Sequence, residues 1–147
     1  CGSPWTLACY MIDGGSSPNF PTTVKWAESD PNSFYELMEM LTEVLIGYVK
    51  MQAKSGVDAI QIFDSWNALC PNSSVQDWSL NWIDRIASAI SSNVPVILYA
   101  KAPSAGTQQA LKPRIRALRI RTSCNVLFIK CPICNTPVTF GGGITIV

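Results

Sequence analysis

At 147 residues the chain is long enough to bury one core, and no apolar run reaches the roughly 18 residues needed to span a bilayer. It has no histidine, which excludes Ser–His and Cys–His nucleophile pairs, a histidine base and histidine-ligated metals. The net charge of +1 hides a division: all ten acidic residues lie at or before Asp84, giving −7 to that point, and the eight basic residues from Arg85 onward give +8. Such asymmetry reads as a basic partner-binding tail or as two segments of unrelated origin.

In chain order, Trp5 to Ile12 is an apolar run of strand length, closed by Asp13-Gly14-Gly15. Ser16 to Pro21 is rich in turn formers, and Thr22 to Glu28 reads as a short helix. Asp30-Pro31 is a helix start, because Asp30 can cap free N–H groups and proline suits the first helical position. Phe34, Leu37, Met38, Leu41, Leu45, Tyr48 and Met51 follow at helical spacing and predict one apolar face. Gly56 is placed to end that helix in the left-handed conformation.

Val57 to Phe63 reads as the next strand. A helix fits Val75 to Ser91, with Leu80, Ile83, Ile86, Ala87 and Ile90 inward. Val96 to Ala100 is a further apolar strand that ends at Lys101. Strand, helix, strand, helix, strand with short joints is a parallel α/β pattern. Right-handed crossovers put the strand ends on one side, where Asp13, Asp64, Ser65 and Lys101 would gather within reach of Tyr10. A complete (β/α)8 barrel needs about 250 residues, so the expected fold is a partial TIM barrel of parallel strands with intervening helices.

The pattern changes near residue 111. Lys112, Arg114, Arg116, Arg119 and Arg121 crowd together, and the alternation fits a strand with one charged face. Cys131 and Cys134 have the spacing of a zinc or redox pair, but a structural zinc wants four ligands and only Cys124 is near. No metal site is expected. The other cysteines read as buried free thiols. Residues 1–111 are therefore expected to form part of a barrel domain, and 112–147 a basic, Cys- and Gly-containing tail read from another frame.

The stretches PWTLACYMIDGGSS from Pro4 and IQIFDSW from Ile60 to Trp66, with KWAESDP from Lys25 to Pro31 and VPVILYAK from Val94 to Lys101, resemble the uroporphyrinogen decarboxylases. The motifs are long, ordered and correctly spaced, and cover about residues 2–101. The resemblance implies a cytoplasmic (β/α)8-barrel enzyme, or a plastid one in a photosynthetic eukaryote. It implies removal of the four acetate carboxyl groups of uroporphyrinogen, without metal or organic cofactor, by a homodimeric parent that binds neither nucleic acid nor membrane. It places Tyr10 and Ser65 at substrate-binding positions, each offering a hydroxyl to a substrate carboxylate, with Asp64 orienting the loop. An N-terminal arginine segment, a catalytic aspartate and later strand motifs of the family have no counterpart here, so the isolated chain is expected to be inactive. Two other readings fit less of the sequence. One is a cobalamin-linked methyltransferase of the same barrel. The other is a non-catalytic remnant whose tail binds a polyanion.

Overall fold

The structure is a computed structural model that describes residues 1–90, 94–101, 115–121, 127–130, 139–140 and 144–145, with side chains described as far as residue 100. Four helices and six strands are assigned within those residues: α1 (Pro4–Asp13), α2 (Pro21–Ser29), α3 (Pro31–Lys54), β1 (Ile60–Asp64), α4 (Asn81–Ser88), β2 (Val96–Lys101), β3 (Ile115–Arg121), β4 (Leu127–Lys130), β5 (Thr139–Phe140) and β6 (Ile144–Thr145). A 3₁₀ turn at Asn67–Leu69 and a π-helical turn at Gln76–Leu80 link β1 to α4.

The first element is a helix, not the strand its apolar run suggests. Ser3 caps it through a hydrogen bond from the Thr6 N–H to Ser3 Oγ at 3.1 Å, Pro4 takes the first turn, and Gly14 ends it with φ of 75°. Trp5, Ala8 and Cys9 are fully buried along one side, the i, i+3, i+4 spacing of a helical face. The strand lies just before it. Gly2 bridges Phe63 in parallel, with the Phe63 N–H on the Cys1 carbonyl at 2.7 Å and the Ser3 N–H on the Phe63 carbonyl at 2.8 Å. Tyr10 therefore sits on a helix above the end of the sheet rather than at a strand terminus.

The other expected elements fall close to their observed positions. Asp30 accepts from the Ser33 N–H at the head of α3, and Gly56 follows that helix at φ of 81°. The apolar face of α3 turns more narrowly inward than its spacing predicts. Phe34, Met38, Leu45 and Val49 are buried, whereas Tyr48 and Met51 are 44% and 56% exposed. All five predicted inward residues from Leu80 to Ile90 are buried.

The four-stranded sheet runs in the order β1-β2-β3-β4. β1, β2 and β3 are parallel, which fits an α/β fold. β4 departs from the parallel expectation by pairing antiparallel with β3, and β5 and β6 form a separate antiparallel pair. Ile60, Ile62 and Asp64 of β1, with Val96, Leu98 and Ala100 of β2, are buried in one core with Trp5, Phe34, Met38, Ile83 and Ile86. The opposite face carries Phe63, 42% exposed, with its ring 5.6 Å from that of Tyr99. The charged run from Lys112 contributes β3, whose Arg119 is in register with Tyr99. The Cys131–Cys134 spacing lies outside the described residues, as do Cys124 and the side chain of Lys101.

Candidate active site at the carboxyl end of β1

Asp64 closes β1 and is wholly buried. Its carboxylate gathers donors from three parts of the chain. Ser3 Oγ lies 2.7 Å and Thr6 Oγ1 3.4 Å from Oδ1, while Asn67 Nδ2 lies 2.7 Å and Ser79 Oγ 2.6 Å from Oδ2. Ser3, Asn67 and Ser79 are themselves fully buried. The π-helical turn contributes Ser79 to Asp64 and sets Trp78 in a stack on Trp5 at 5.4 Å. Burial pushes the Asp64 carboxyl above its ordinary range, with the donors from Ser79, Ser3, Asn67 and Thr6 pulling the other way. Asp64 is thus the knot that fixes the end of β1.

Ser65 follows that knot directly and is half-buried. Trp66 comes next, and its carbonyl accepts the Trp5 indole N–H at 3.0 Å. The Tyr10 ring meets the Trp66 ring edge-on, with centroids 6.0 Å apart, and Tyr10 remains 38% exposed. The fold therefore brings Tyr10 beside the residue next to Ser65, although 55 positions separate Tyr10 and Ser65 in the sequence. Phe20 completes the cluster, 4.7 Å from Trp66 and 5.8 Å from Tyr10.

Asp13 does not join this group as expected. Its carboxylate takes the Thr22 N–H at 3.3 Å, the Thr23 N–H at 3.1 Å and Thr23 Oγ1 at 2.6 Å, so it caps α2. Desolvation works against its charge, yet the Thr23 and Thr22 donors outweigh it and hold the carboxyl below its ordinary range. That cap replaces one that Phe20, at the N-cap of α2, cannot supply.

Cys1, Cys9 and Cys70 are free thiols. Burial pushes the Cys9 and Cys70 thiols up, the Asp64 carboxylate adding to the effect, so both remain protonated and are poor nucleophiles. Among the described residues no group of three or more Cys, Asp or Glu could hold a metal ion, and no helix is long and apolar enough to cross a membrane. The sequence reading missed Ser3, Asn67, Ser79 and Phe20. Ser3 had a legible signal, a serine directly ahead of a proline at the first helical position, which marks a helix N-terminus.

The family model described as "Uroporphyrinogen decarboxylase (URO-D)" matches residues 1–132, beyond Lys101 where the quoted motifs end. Relatives named "Uroporphyrinogen decarboxylase" include one from Campylobacter jejuni (strain RM1221), 40% identical over 107 residues, covering 71% of this chain and 32% of the relative. One from Campylobacter concisus is 37% identical over 107 residues, with coverages of 71% and 32%. One from Flavobacterium johnsoniae is 32% identical over 145 residues, covering 99% of this chain and 40% of the relative. The chain spans 32% to 40% of the length of these relatives.

Proposed function

The chain belongs to the uroporphyrinogen decarboxylase family, and from that premise we propose that it is the central part of a uroporphyrinogen decarboxylase. The parent removes the four acetate carboxyl groups of uroporphyrinogen to give coproporphyrinogen in porphyrin biosynthesis. Its fold is a (β/α)8 barrel, of which the bridge at Gly2, β1, β2 and β3 are consecutive parallel rungs. The face bearing Phe63 and Tyr99 then looks into the barrel, and the end bearing Ser65 and Tyr10 is the mouth where such barrels place their chemistry.

The reading is carried by one observation: the Tyr10 ring packs against Trp66, the neighbour of Ser65, at the carboxyl end of a parallel strand. Two hydroxyl-bearing side chains at that mouth suit a substrate rich in carboxylates, since a hydroxyl donating to a carboxylate makes a bond about twice as strong as a neutral one. We assign Tyr10 and Ser65 to substrate binding and Asp64 to holding Ser65 in place.

The reaction asks little of the protein beyond orientation and charge stabilisation. A proton added to a pyrrole carbon makes that ring cationic. The bond from the arm's methylene to its carboxylate then breaks, carbon dioxide leaves, and the bonding electrons flow into the ring. A second proton on the methylene carbon and loss of the first complete a methyl group. The substrate is its own electron sink, which is why the proposal includes no metal or organic cofactor. The parent is a cytoplasmic homodimer in this reading, and the present chain alone is inactive. The division into residues 1–111 and a tail of 112–147 rests on charge and pattern alone, and the family match runs across it to residue 132.

Titration of the chain with uroporphyrin, the oxidised macrocycle with the same carboxylate arms, tests the assignment through tryptophan fluorescence. Saturable quenching is expected, weakened about tenfold in Tyr10→Phe and in Ser65→Ala, the loss of one charge-assisted bond each. Quenching that is equal in both variants and the parent chain defeats the assignment.

A further inference from the structure

Phe20 is the one residue other than glycine with a left-handed backbone among the described residues, at φ 44° and ψ 58°. A phenylalanine there is an outlier, because its Cβ crowds the backbone and its own side chain supplies no cap. Its side chain is nonetheless fully buried. Such outliers persist where the surroundings over-determine them, and they concentrate at functional sites.

What surrounds Phe20 is Tyr10. The two rings meet edge to face at 85°, and Phe20 also meets Trp66 at 61°. The loop between them is tied to Tyr10 at its other end, where Gly14 and Gly15 both donate to the Tyr10 carbonyl at 3.1 Å. Asp13 anchors the start of α2 immediately after Phe20. Helix α1, the glycine turn and the head of α2 thus form a closed clasp. A relaxed backbone at residue 20 would carry its ring away from the clasp and leave Tyr10 packed on Trp66 alone.

We propose that Phe20 is a positioning residue: its left-handed backbone and buried ring hold the Tyr10 ring in one orientation against Trp66, which fixes where the phenol hydroxyl points. The inference rests on the assignment of Tyr10 to substrate binding, and it adds to that assignment the residue that pre-orients the hydroxyl. Fixing a rotatable contact before binding spares the complex the entropy of ordering it.

The test turns on the ring. Phe20→Gly relieves the left-handed conformation and removes the ring, Phe20→Leu keeps an apolar side chain without a ring, and Phe20→Tyr keeps the ring. Each is made in the full chain labelled with 3-fluorotyrosine, with the Tyr10 fluorine resonance assigned by its loss in Tyr10→Phe. The expected result is a Tyr10 resonance displaced from free fluorotyrosine in the parent chain and in Phe20→Tyr, with most of that displacement lost in both Phe20→Gly and Phe20→Leu. A merely structural role predicts no such loss in the Gly or Leu variant that retains the parent's thermal midpoint. An unmoved Tyr10 resonance in either folded variant overturns the proposal.

Uroporphyrin binding is the second arm. Phe20→Gly and Tyr10→Phe are each expected to weaken it about tenfold, and the double variant no more than Tyr10→Phe alone, because Phe20 acts through Tyr10. Additive losses overturn the proposal. If Tyr10→Phe and Ser65→Ala leave binding unchanged, or uroporphyrin does not bind, the site assignment is what fails, and the fluorine resonance still decides whether Phe20 orients Tyr10.

Discussion

Replacing Asp64 with alanine tests the knot at the end of β1. Three buried donors, Ser3 Oγ, Asn67 Nδ2 and Ser79 Oγ, lie within 2.7 Å of the carboxylate, and alanine leaves all three without it. A buried donor stripped of its acceptor costs about 1–3 kcal/mol. Losing the burden of a desolvated charge returns part of that. The net expectation is a destabilisation of about 3 kcal/mol, a large share of the roughly 5–15 kcal/mol that holds a domain together. With a urea slope of about 1–3 kcal/mol per molar, the unfolding midpoint by tryptophan fluorescence should fall by at least about 1 M. Asp64→Asn should cost only about 1 kcal/mol: it keeps the shape and one acceptor, Ser79 can turn its hydroxyl to accept, and Asn67 can flip its amide.

The pH dependence has a definite sign. Burial raises the folded carboxyl above its ordinary value of 3.8, so its stabilising contribution is complete below that value and is lost as pH rises through the folded one. Stability of the parent chain relative to Asp64→Asn should therefore increase as pH is lowered from neutral toward 3.8. The reasoning is refuted if Asp64→Ala costs less than about 1 kcal/mol, or if Asn costs as much as Ala.

Asp13 should behave in the opposite sense. Its folded carboxyl lies below 3.8, so its contribution is present above that value and disappears as pH falls through the folded one; Asp13→Ala should cost about 1 kcal/mol at neutral pH in urea unfolding, the worth of a helix cap. Trp5→Ala should cost about 3–5 kcal/mol, because a fully buried indole packed on Trp78 and Phe34 leaves a cavity. Trp5→Phe should cost less and register mainly as loss of the 3.0 Å bond to the Trp66 carbonyl, seen in the shift of the Asn67 amide proton, which shares that peptide group. Gly47 lies inside α3, and beyond the adjoining turns of its own helix backbone nothing comes within 4 Å of where a Cβ would stand, so Gly47→Ala should raise stability by about 0.5–1 kcal/mol in thermal unfolding.

The helices and strands from Asp30 to Ala100 were legible because they carry their own signals: Asp30-Pro31 at a start, Gly56 past an end, and inward residues from Leu80 to Ile90 at helical spacing. The first element was misread because a run of eight residues, apolar at all but Thr6, suits a short buried strand or a helix equally. The signals that decide it, Ser3-Pro4 ahead and Gly14 behind, flank the run rather than lie within it. The strand pattern brought Tyr10 and Ser65 toward one end of the sheet, but a substrate-binding role for them rests on family motifs, since a lone tyrosine or serine carries no such signal. The donors to Asp64 could not be read at all. Ser3, Asn67 and Ser79 meet only after α1 folds back over β1 and the π-helical turn adds its extra residue, a matter of packing rather than spacing. Phe20 was invisible for a related reason: nothing in a sequence marks a phenylalanine for a left-handed backbone.

We propose that this segment supplies the Tyr10 and Ser65 wall of a uroporphyrinogen decarboxylase. The direct test is a chimera in which residues 1–101 replace the matching segment of the Campylobacter jejuni relative, assayed for conversion of uroporphyrinogen to coproporphyrinogen. The account predicts an active chimera that loses about tenfold or more of kcat/KM on Tyr10→Phe and again on Ser65→Ala. A folded chimera that binds no tetrapyrrole, or one whose kcat/KM is untouched by both substitutions, would contradict it.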